Sequence, residues 1–439
     1  MPDATSLAAP RTASENRVAL LCAAVLILEG YDLGAMAFTL PALSESWHLR
    51  PVAFTAALTA GSVGLFLGSL LCGWLGDKIG RKPVLMGCVA VFGIMSLLTA
   101  LVVTTKWLTV ARFVTGLGIG GGIPTSIALL SDFSPPRRQG GMVMAMTCGV
   151  QTGNILGGIV AARLLAPFGW PAVFVVGGII PLILLPILKF WLPESTEFLA
   201  ARARAQARNS AANEPSAASS GAPFRNPVAQ LFSGPFLRIT LLLWLINFLS
   251  LVTIYFINSW LPSMLHSLGI TTAKAILASA MFQVGGVAGG LGSGPFVNRF
   301  GTEKVVAAML AMGGGWLVLL SLTNVSTVVL ACFIFGAGLG ISAGQLGVNA
   351  LPGAIYPPPI RNTGAGWALG IGRLGNIAGP LFGGILLSLG WTPKHMLLAI
   401  SVPAFILAMM LLVLASVRAS ARYESSAGSP QLAVPVPHN

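Results

Sequence analysis

Two carboxylic acids and two arginines stand deep inside long apolar stretches of the sequence. Glu29 and Asp32 lie in the segment "LILEGYDLG", and Arg112 and Arg373 lie deep in two later stretches. A charge at the centre of a bilayer costs about 2.5 kcal/mol or more, so such a residue normally faces a cavity and has a function. Carboxyl groups exchange protons, and an arginine fork binds a carboxylate through two hydrogen bonds. The residue types therefore indicate proton exchange together with binding of an organic anion.

The spacing of these residues refines the hypothesis. Glu29 and Asp32 are three residues apart, which places both on one face of a helix. A carboxyl group in poorly solvated surroundings can hold a proton near neutral pH, so we expect this pair to carry the proton. The alternative is a permanent salt bridge to an arginine. Arg373 lies near the middle of its stretch and is expected to hold the substrate anion, unless helix-end carbonyls fix its side chain.

The composition is typical of a membrane protein. Only 8% of the 439 residues are charged and 55% are hydrophobic, whereas about a quarter of a soluble domain is charged. The net charge of +13 resides in loops and tails, so we expect neither a soluble enzyme nor a nucleic-acid-binding protein. The five cysteines and four histidines show no ligand spacing. We therefore expect no metal and no cofactor, with protons as the coupling ion.

Apolar runs of about 20 residues predict twelve membrane spans, numbered here 1 to 12. They cover residues 18–41, 53–76, 84–104, 107–130, 141–165, 171–192, 238–262, 274–297, 304–322, 326–350, 363–388 and 395–417. Most Lys and Arg residues outside the spans fall on the side that carries the N-terminus. Because cytoplasmic loops are enriched in these residues, both termini are predicted to be cytoplasmic, in an inner (plasma) membrane of the bacterial type.

The chain contains a weak internal repeat. "GWLGDKIG" at 73–80 matches "GPFVNRFG" at 294–301, and "RFVTGLGIG" at 112–120 matches "CFIFGAGLG" at 332–340. Both pairs occupy equivalent positions in two sets of six spans, which is typical of an alternating-access transporter with a central site. The predicted fold is an all-α membrane protein with twelve transmembrane helices in two pseudo-symmetric six-helix halves.

The predicted domain limits follow from the same pattern. The segments are an N-terminal cytoplasmic tail, a first six-helix half, a polar Ala/Ser-rich cytoplasmic linker, a second six-helix half and a C-terminal cytoplasmic tail. Their limits are 1–17, 18–192, 193–237, 238–417 and 418–439.

The chain resembles the major facilitator superfamily over nearly all of its length outside the tails and the linker. "GWLGDKIGRK" is similar to that superfamily's loop between spans 2 and 3, and "RFVTGLGIGGG" to its fourth-span motif. "EGYD", "LPES", "NSWLP" and "YPPPIRNTGAGWALGIGRLGNIAGP" resemble the aromatic acid:proton symporters. The resemblance implies proton-coupled uptake of a hydroxylated aromatic carboxylic acid of the benzoate or phenylpropanoate type.

The resemblance also implies roles for individual residues. The first acid of the "EGYD" motif is more often Asp in these symporters, so Asp32 is expected to be more essential than Glu29. Arg112 is expected either to modulate Asp32 or to pair with an acid structurally. An inner gate is expected from charged residues at the cytoplasmic ends of the helices: Asp77, Lys78, Arg81, Asp132 and Arg361.

Polar and aromatic side chains within the spans are candidates to line the substrate site. Aromatic rings suit a planar substrate, and amides can bind its hydroxyl groups; helix packing is the alternative for each of them. Besides Arg373, the candidates are Tyr31, Gln151, Asn154, Tyr255, Asn258, Gln283, Gln345, Asn349, Trp367 and Asn376.

Other functions remain open. The substrate is a small-molecule carboxylate, and another small organic anion such as muconate, nicotinate or a short organic acid is an alternative. An efflux antiporter of the same fold is less favoured, because Asn154 stands where antiporters carry a Gly-Pro step. An intramembrane aspartyl protease would need acids on two helices, and a non-transporting sensor is a further alternative. We expect a functional monomer in contact with membrane lipid.

Overall fold

The computed structural model describes residues 9–134, 136–195, 198–199, 231–232, 236–323, 326–356 and 358–427. Within these ranges the regular elements are α-helices and one 3-10 turn, Pro51–Phe54, with no strand. The helices are α1 (Ala9–Ser46), α2 (Thr55–Ile79), α3 (Arg81–Thr99), α4 (Thr105–Phe133), α5 (Pro136–Phe168), α6 (Trp170–Trp191), α7 (Phe236–Ser267), α8 (Thr272–Gly292), α9 (Gly294–Phe300), α10 (Thr302–Leu322), α11 (Thr327–Ile355), α12 (Pro358–Gly372), α13 (Leu374–Ser388) and α14 (Pro393–Ala427).

The helices occupy the places of the twelve predicted spans, and the predicted fold class is confirmed. Helices α1 to α8 correspond to spans 1 to 8, α10 and α11 to spans 9 and 10, α12 with α13 to span 11, and α14 to span 12. Among the described residues, ten helices are long and apolar enough to cross a membrane. Helix α5 and the two halves of span 11 lie outside that group.

Three boundaries differ from the sequence prediction. Span 11 has a one-residue break at Arg373 between α12 and α13. The backbone there stays helical (φ −60°, ψ −21°), and the Arg373 N–H lies 3.2 Å from the carbonyl oxygens of both Leu369 and Gly370. Glycines in this stretch weaken helix propensity and make such a break inexpensive. Helix α1 begins earlier than residue 18, and α14 continues past residue 417 to Ala427.

Most of the predicted linker, 193–237, lies outside the described residues, so the domain limits stay a prediction.

The two copies of the repeat play the same packing role in their halves. A Cβ on Gly116 would overlap the backbone of α2, and one on Gly118 would press on the backbone of α3. In the second copy the two corresponding neighbours are met from shifted positions. Gly338, which aligns with Gly118, meets the backbone of α8, and Gly340, which aligns with Gly120, meets that of α10. Small residues let membrane helices approach closely and gain van der Waals contact. The repeat therefore marks equivalent helix contacts in the two halves.

The halves pack against each other at the end of the bundle remote from the chain termini. One buried cluster there draws on both halves and includes Leu43, Phe54 and Leu265. At the other end, the two described clusters each contain residues of one half only. On the remote surface, Glu45 of α1 lies 3.2 Å from His266 of α7. In the described residues the bundle is therefore sealed at this remote end.

Close packing of α1 on α5 gives the first testable prediction. A Cβ on Gly153 would overlap the carbonyl oxygen of Ile27, whereas one on Gly315 would meet nothing within 4 Å. We expect Gly153→Ala to lower stability by about 1–3 kcal/mol, since the helices must separate. Gly315→Ala is the control and should be neutral or slightly stabilising. Thermal unfolding in detergent measures both, and equal stability of the two variants would refute the packing argument.

Candidate functional site

Asp32 holds four helices of the N-terminal half together. Arg112 on α4 donates from Nη1 to Asp32 Oδ2 at 2.9 Å and from Nη2 to the Asp32 carbonyl at 3.3 Å. Ser96 on α3 places its hydroxyl 3.0 Å from Asp32 Oδ1 and 3.1 Å from the carbonyl of Phe174 on α6. Asp32 is fully buried and Arg112 is 5% exposed. The sequence left open whether Arg112 pairs with an acid, and the structure shows that it pairs with Asp32.

Tyr31, the neighbour of Asp32, is engaged in helix packing. Its hydroxyl donates to the carbonyl of Val173 at 2.8 Å, and its ring packs against Gly177 of α6. Only 6% of the residue is exposed. This geometry favours the packing alternative for Tyr31 over substrate contact.

Glu29 is the second fully buried acid of α1. Neither of its carboxyl oxygens has a hydrogen bond to any described residue. The carboxyl group instead lies against Gly122 of α4, where a Cβ would overlap Oε1. Glu29 and Asp32 thus both point towards α4, as their spacing predicted, but one is ion-paired and the other is not. A buried carboxylate without a partner carries a large desolvation cost.

Arg373 stands at the break between α12 and α13, on the other half of the molecule. The side chain is partly buried, and its guanidinium donates no hydrogen bond and forms no salt bridge to a described residue. Tyr255 of α7 lies near the guanidinium. Asn376 follows Arg373 by three residues, and Asn247 lies against Gly372. Both asparagines are buried, and each has an amide oxygen without a hydrogen bond to a described residue. The described residues therefore do not support the alternative that helix-end carbonyls fix the Arg373 side chain.

Three predicted amides meet at a small cavity between the halves. The cavity is narrow, with a volume of about 10 Å³, and Phe38 and Asn154 lie on its N-terminal side. Asn258 and Gln283 line it from α7 and α8, and Gln283 Nε2 donates to Asn258 Oδ1 at 3.0 Å. Phe282 contributes a second aromatic ring. Amides and aromatic rings thus line one narrow gap between the halves. This lining suits a polar aromatic molecule, which enters only when the gap widens.

The remaining predicted lining residues lie elsewhere. Gln345 accepts a hydrogen bond from Ser250 and donates to Asn349 at 2.8 Å, which links α7 to α11. Gln151 on α5 has an amide oxygen without a described partner. Trp367 on α12 stacks on Trp244 with ring centroids 5.7 Å apart. This stacking favours helix packing for Trp367.

Part of the predicted inner gate forms a lock within the N-terminal half. Arg81 at the start of α3 pairs with Asp132 near the end of α4 and donates to the carbonyl of Ala128 at 2.9 Å. Lys78 lies 3.8 Å above the ring of Trp74. The side chains of Asp77 and Arg361 lie outside the described ones, so their roles stay predictions.

Sequence reasoning missed two partners of this lock. Glu194 Oε1 accepts hydrogen bonds from the backbone N–H groups of Arg81 and Lys82, at 2.9 and 3.1 Å. Ser195 donates to Asp132. A carboxylate at the N-terminus of α3 is favoured by the helix dipole. Both residues belong to the "LPES" segment, whose resemblance to the symporters did not indicate a contact with α3 or Asp132.

Comparison with known proteins identifies the family. The family model described as Major Facilitator Superfamily matches residues 22–246 and 243–437, so the chain belongs to that superfamily. It is 37% identical to a "4-hydroxybenzoate transporter PcaK" of Pseudomonas putida, covering 90% of this chain and 91% of the relative. It is 34% identical to a "Gallate transporter" of Pseudomonas putida, covering 92% of each. It is 35% identical to a "3-(3-hydroxy-phenyl)propionate transporter" of Escherichia coli (strain K12), covering 90% and 94%.

Solved structures agree on the fold. A D-xylose-proton symporter matches with a TM-score of 0.69 at 18% identity, covering 90% of this chain and 96% of that one. A bacterial homologue of the lysosomal transporter Spinster, in an inward-facing and unoccupied conformation, matches with a TM-score of 0.67 at 18% identity, covering 92% and 97%. At these identities the likeness concerns the fold alone.

The ion pair of Asp32 and Arg112 gives the second prediction. Asp32→Asn leaves a buried, uncompensated guanidinium, which we expect to lower stability by about 3–5 kcal/mol. Adding Arg112→Gln removes that charge and should restore most of the loss. Arg163→Gln, at an exposed position, makes the same charge change as Arg112→Gln and is the control for that substitution. Thermal unfolding of the purified variants is the measurement, and a single variant as stable as wild type would contradict the pairing.

Proposed function

We propose that this member of the superfamily is a secondary transporter that takes up a hydroxylated aromatic carboxylic acid together with protons. The observation that carries the proposal is the partly buried Arg373, whose guanidinium has no acidic partner among the described residues. In the second predicted half, 238–417, Glu303 is the one acidic residue of the sequence. A positive charge held at that depth without a counter-ion is suited to an anion that arrives and leaves.

The cavity supports an aromatic substrate with hydroxyl groups. Its rings, Phe38 and Phe282, suit a planar apolar body, while Asn154, Asn258 and Gln283 can exchange hydrogen bonds with hydroxyl groups. The names of the relatives above point the same way, since 4-hydroxybenzoate, gallate and 3-(3-hydroxyphenyl)propionate all combine a carboxylate with a hydroxylated ring. We therefore favour benzoate- and phenylpropanoate-type acids with at least one ring hydroxyl.

The two acids of α1 divide the proton-coupling role in this proposal. Asp32 is held by Arg112 and Ser96, so it has to break an ion pair before it can accept a proton. Glu29 has no partner among the described residues, and the desolvation cost of an unpaired carboxylate favours its neutral form. We assign the transported proton of the described conformation to Glu29. The Asp32–Arg112 pair fixes the position of the helices around Glu29, and in this proposal it separates only when the helices move.

The proposed cycle uses the seal between the halves. In the outward-open state, Glu29 takes a proton and the substrate carboxylate binds Arg373, which reduces the net charge exposed to the low-dielectric interior. The halves then close at the remote end around the cluster of Leu43, Phe54 and Leu265. Release of substrate and proton to the other side completes the cycle. The Glu45–His266 contact forms only when the two halves meet at that end.

The proposed location is a bacterial-type inner membrane with both termini in the cytoplasm. The distribution of Lys and Arg residues supports this orientation. The sealed end is then periplasmic, and the end that carries the inner lock of Arg81 and Asp132 is cytoplasmic. The central cavity lies within one chain, which supports a functional monomer surrounded by lipid.

Transport of another small organic anion is the second candidate. Arg373 alone does not distinguish an aromatic from an aliphatic carboxylate, so muconate, nicotinate or a short organic acid fits the same charge. The amide and aromatic lining of the cavity favours the hydroxylated ring. Efflux of the same class of molecule is disfavoured, because antiporters carry a Gly-Pro step where this chain has Asn154. The Asn154 side chain lies against Gly34.

The substrate assignment predicts a specific loss of affinity. We expect Arg373→Ala to raise the KM for 4-hydroxybenzoate by about 10- to 100-fold, because a charge-assisted hydrogen bond contributes about 1.5–3 kcal/mol. Arg373→Lys should be intermediate, since an ammonium lacks the bidentate fork. Uptake into proteoliposomes under an inward proton gradient measures this, with muconate and nicotinate as competitors. Arg163→Ala is the control, and an unchanged KM in Arg373→Ala would exclude the proposed role.

The proton assignment predicts a separation of accumulation from exchange. Glu29→Gln should abolish gradient-driven accumulation of 4-hydroxybenzoate while it retains substrate exchange between two loaded compartments, because the neutral amide mimics the protonated acid. Its exchange rate should not vary with pH between 6 and 8 as that of wild type does. Glu303→Gln removes an acid that lies outside the candidate transport site and serves as the control. Accumulation at the wild-type level in Glu29→Gln would rule out Glu29 as the carrier.

A further inference from the structure

A groove on the surface of the C-terminal half lies apart from the central cavity. The short helix α9 contributes Phe296 and Phe300 to one wall, and Val305, Met309 and Met312 of α10 form the other. The groove encloses about 380 Å³. None of these residues belongs to the candidate transport site, so the groove is independent of the proposed function.

The exposed rings of α9 place the groove at a membrane–water interface. No residue of this seven-residue helix is buried, and Phe296 and Phe300 are 58% and 53% exposed. Two large rings would be unfavourable in water, whereas aromatic side chains are enriched where the bilayer meets water. Helix α9 also connects the ends of two spans, α8 and α10. The groove therefore opens to lipid near the level of the headgroups.

Two cations stand at one end of the groove. Lys304 is one of its lining residues and is exposed. The guanidinium of Arg299 lies 5.2 Å from the ring centroid of Phe300. In the described part of the chain neither cation forms a salt bridge, while the neighbouring acid, Glu303, has an interaction of its own. This end of the groove is therefore available to an anionic group.

We propose that the groove binds one anionic phospholipid. Its acyl chain lies between the phenylalanines of α9 and the methionines of α10, and its phosphate lies between Lys304 and Arg299. The proposed orientation puts this end of α10 in the cytoplasmic leaflet, where anionic lipids attract basic side chains. A short apolar groove with cations at one end matches an amphiphile with a single charged end. An apolar peptide would leave both cations without a counter-ion.

Lipid retention by the full-length protein tests the proposal. Wild type is purified from membranes of equal phosphatidylglycerol and phosphatidylcholine, and native mass spectrometry counts the bound molecules of each lipid. We expect wild type to retain phosphatidylglycerol preferentially. Arg299→Gln with Lys304→Gln should lower that preference about 30-fold, because about 1 kcal/mol per basic residue near an anionic surface gives about 2 kcal/mol for the two residues. Arg50→Gln with Lys274→Gln makes the same charge change elsewhere and should have no effect.

A second variant separates the groove from general surface charge. Ala308→Trp fills the groove without a charge change, so we expect it to lose phosphatidylglycerol as the double variant does. Leu319→Trp adds the same ring to an exposed position of the same helix and should behave like wild type. Equal retention of both lipids by wild type would overturn the proposal. So would undiminished phosphatidylglycerol in Ala308→Trp, or a co-purified peptide that depends on Ala308 in place of lipid.

Discussion

The buried ion pair between Asp32 and Arg112 is the constraint around which the N-terminal half is organised. With Ser96 and the carbonyl of Phe174, it joins α1, α3, α4 and α6 at one point. Breaking such a pair leaves an uncompensated buried charge, whereas its net contribution to stability when intact is small. Its main effect is therefore to fix the relative position of the helices, including the stretch of α1 that carries Glu29.

The two halves divide the charges of the proposed transport cycle between them. Glu29 and Asp32, of which Asp32 pairs with Arg112, lie in the N-terminal half. Arg373, whose guanidinium has no ion-pair partner among the described residues, lies in the C-terminal half at the helix break. The pseudo-symmetric glycine contacts give both halves the same helix packing, so the chemistry is asymmetric within a symmetric scaffold. In the proposed cycle, anion and proton are bound on different halves and move together when the halves rock.

Much of this arrangement was predictable from the sequence. Spans were visible because about twenty apolar residues must cross a bilayer, and Glu29, Asp32, Arg112 and Arg373 stood out because charges at that depth are rare. The sequence did not show which acid pairs with Arg112, because this depends on how α1 and α4 rotate against each other. It gave no signal for Ser96, and the break at Arg373 was hidden in a continuous apolar run. Of the predicted lining residues, Tyr31 and Trp367 are polar or aromatic groups used in packing, which composition alone does not distinguish.

The central claim is that Glu29, which has no partner among the described residues, carries the transported proton, whereas Asp32 is held in an ion pair by Arg112. Infrared difference spectroscopy of the purified protein at neutral pH measures this directly through the carbonyl stretch of protonated carboxyl groups. The account predicts a band in wild type that disappears in Glu29→Gln and persists in Asp32→Asn. A band that persists in Glu29→Gln and disappears in Asp32→Asn would contradict it.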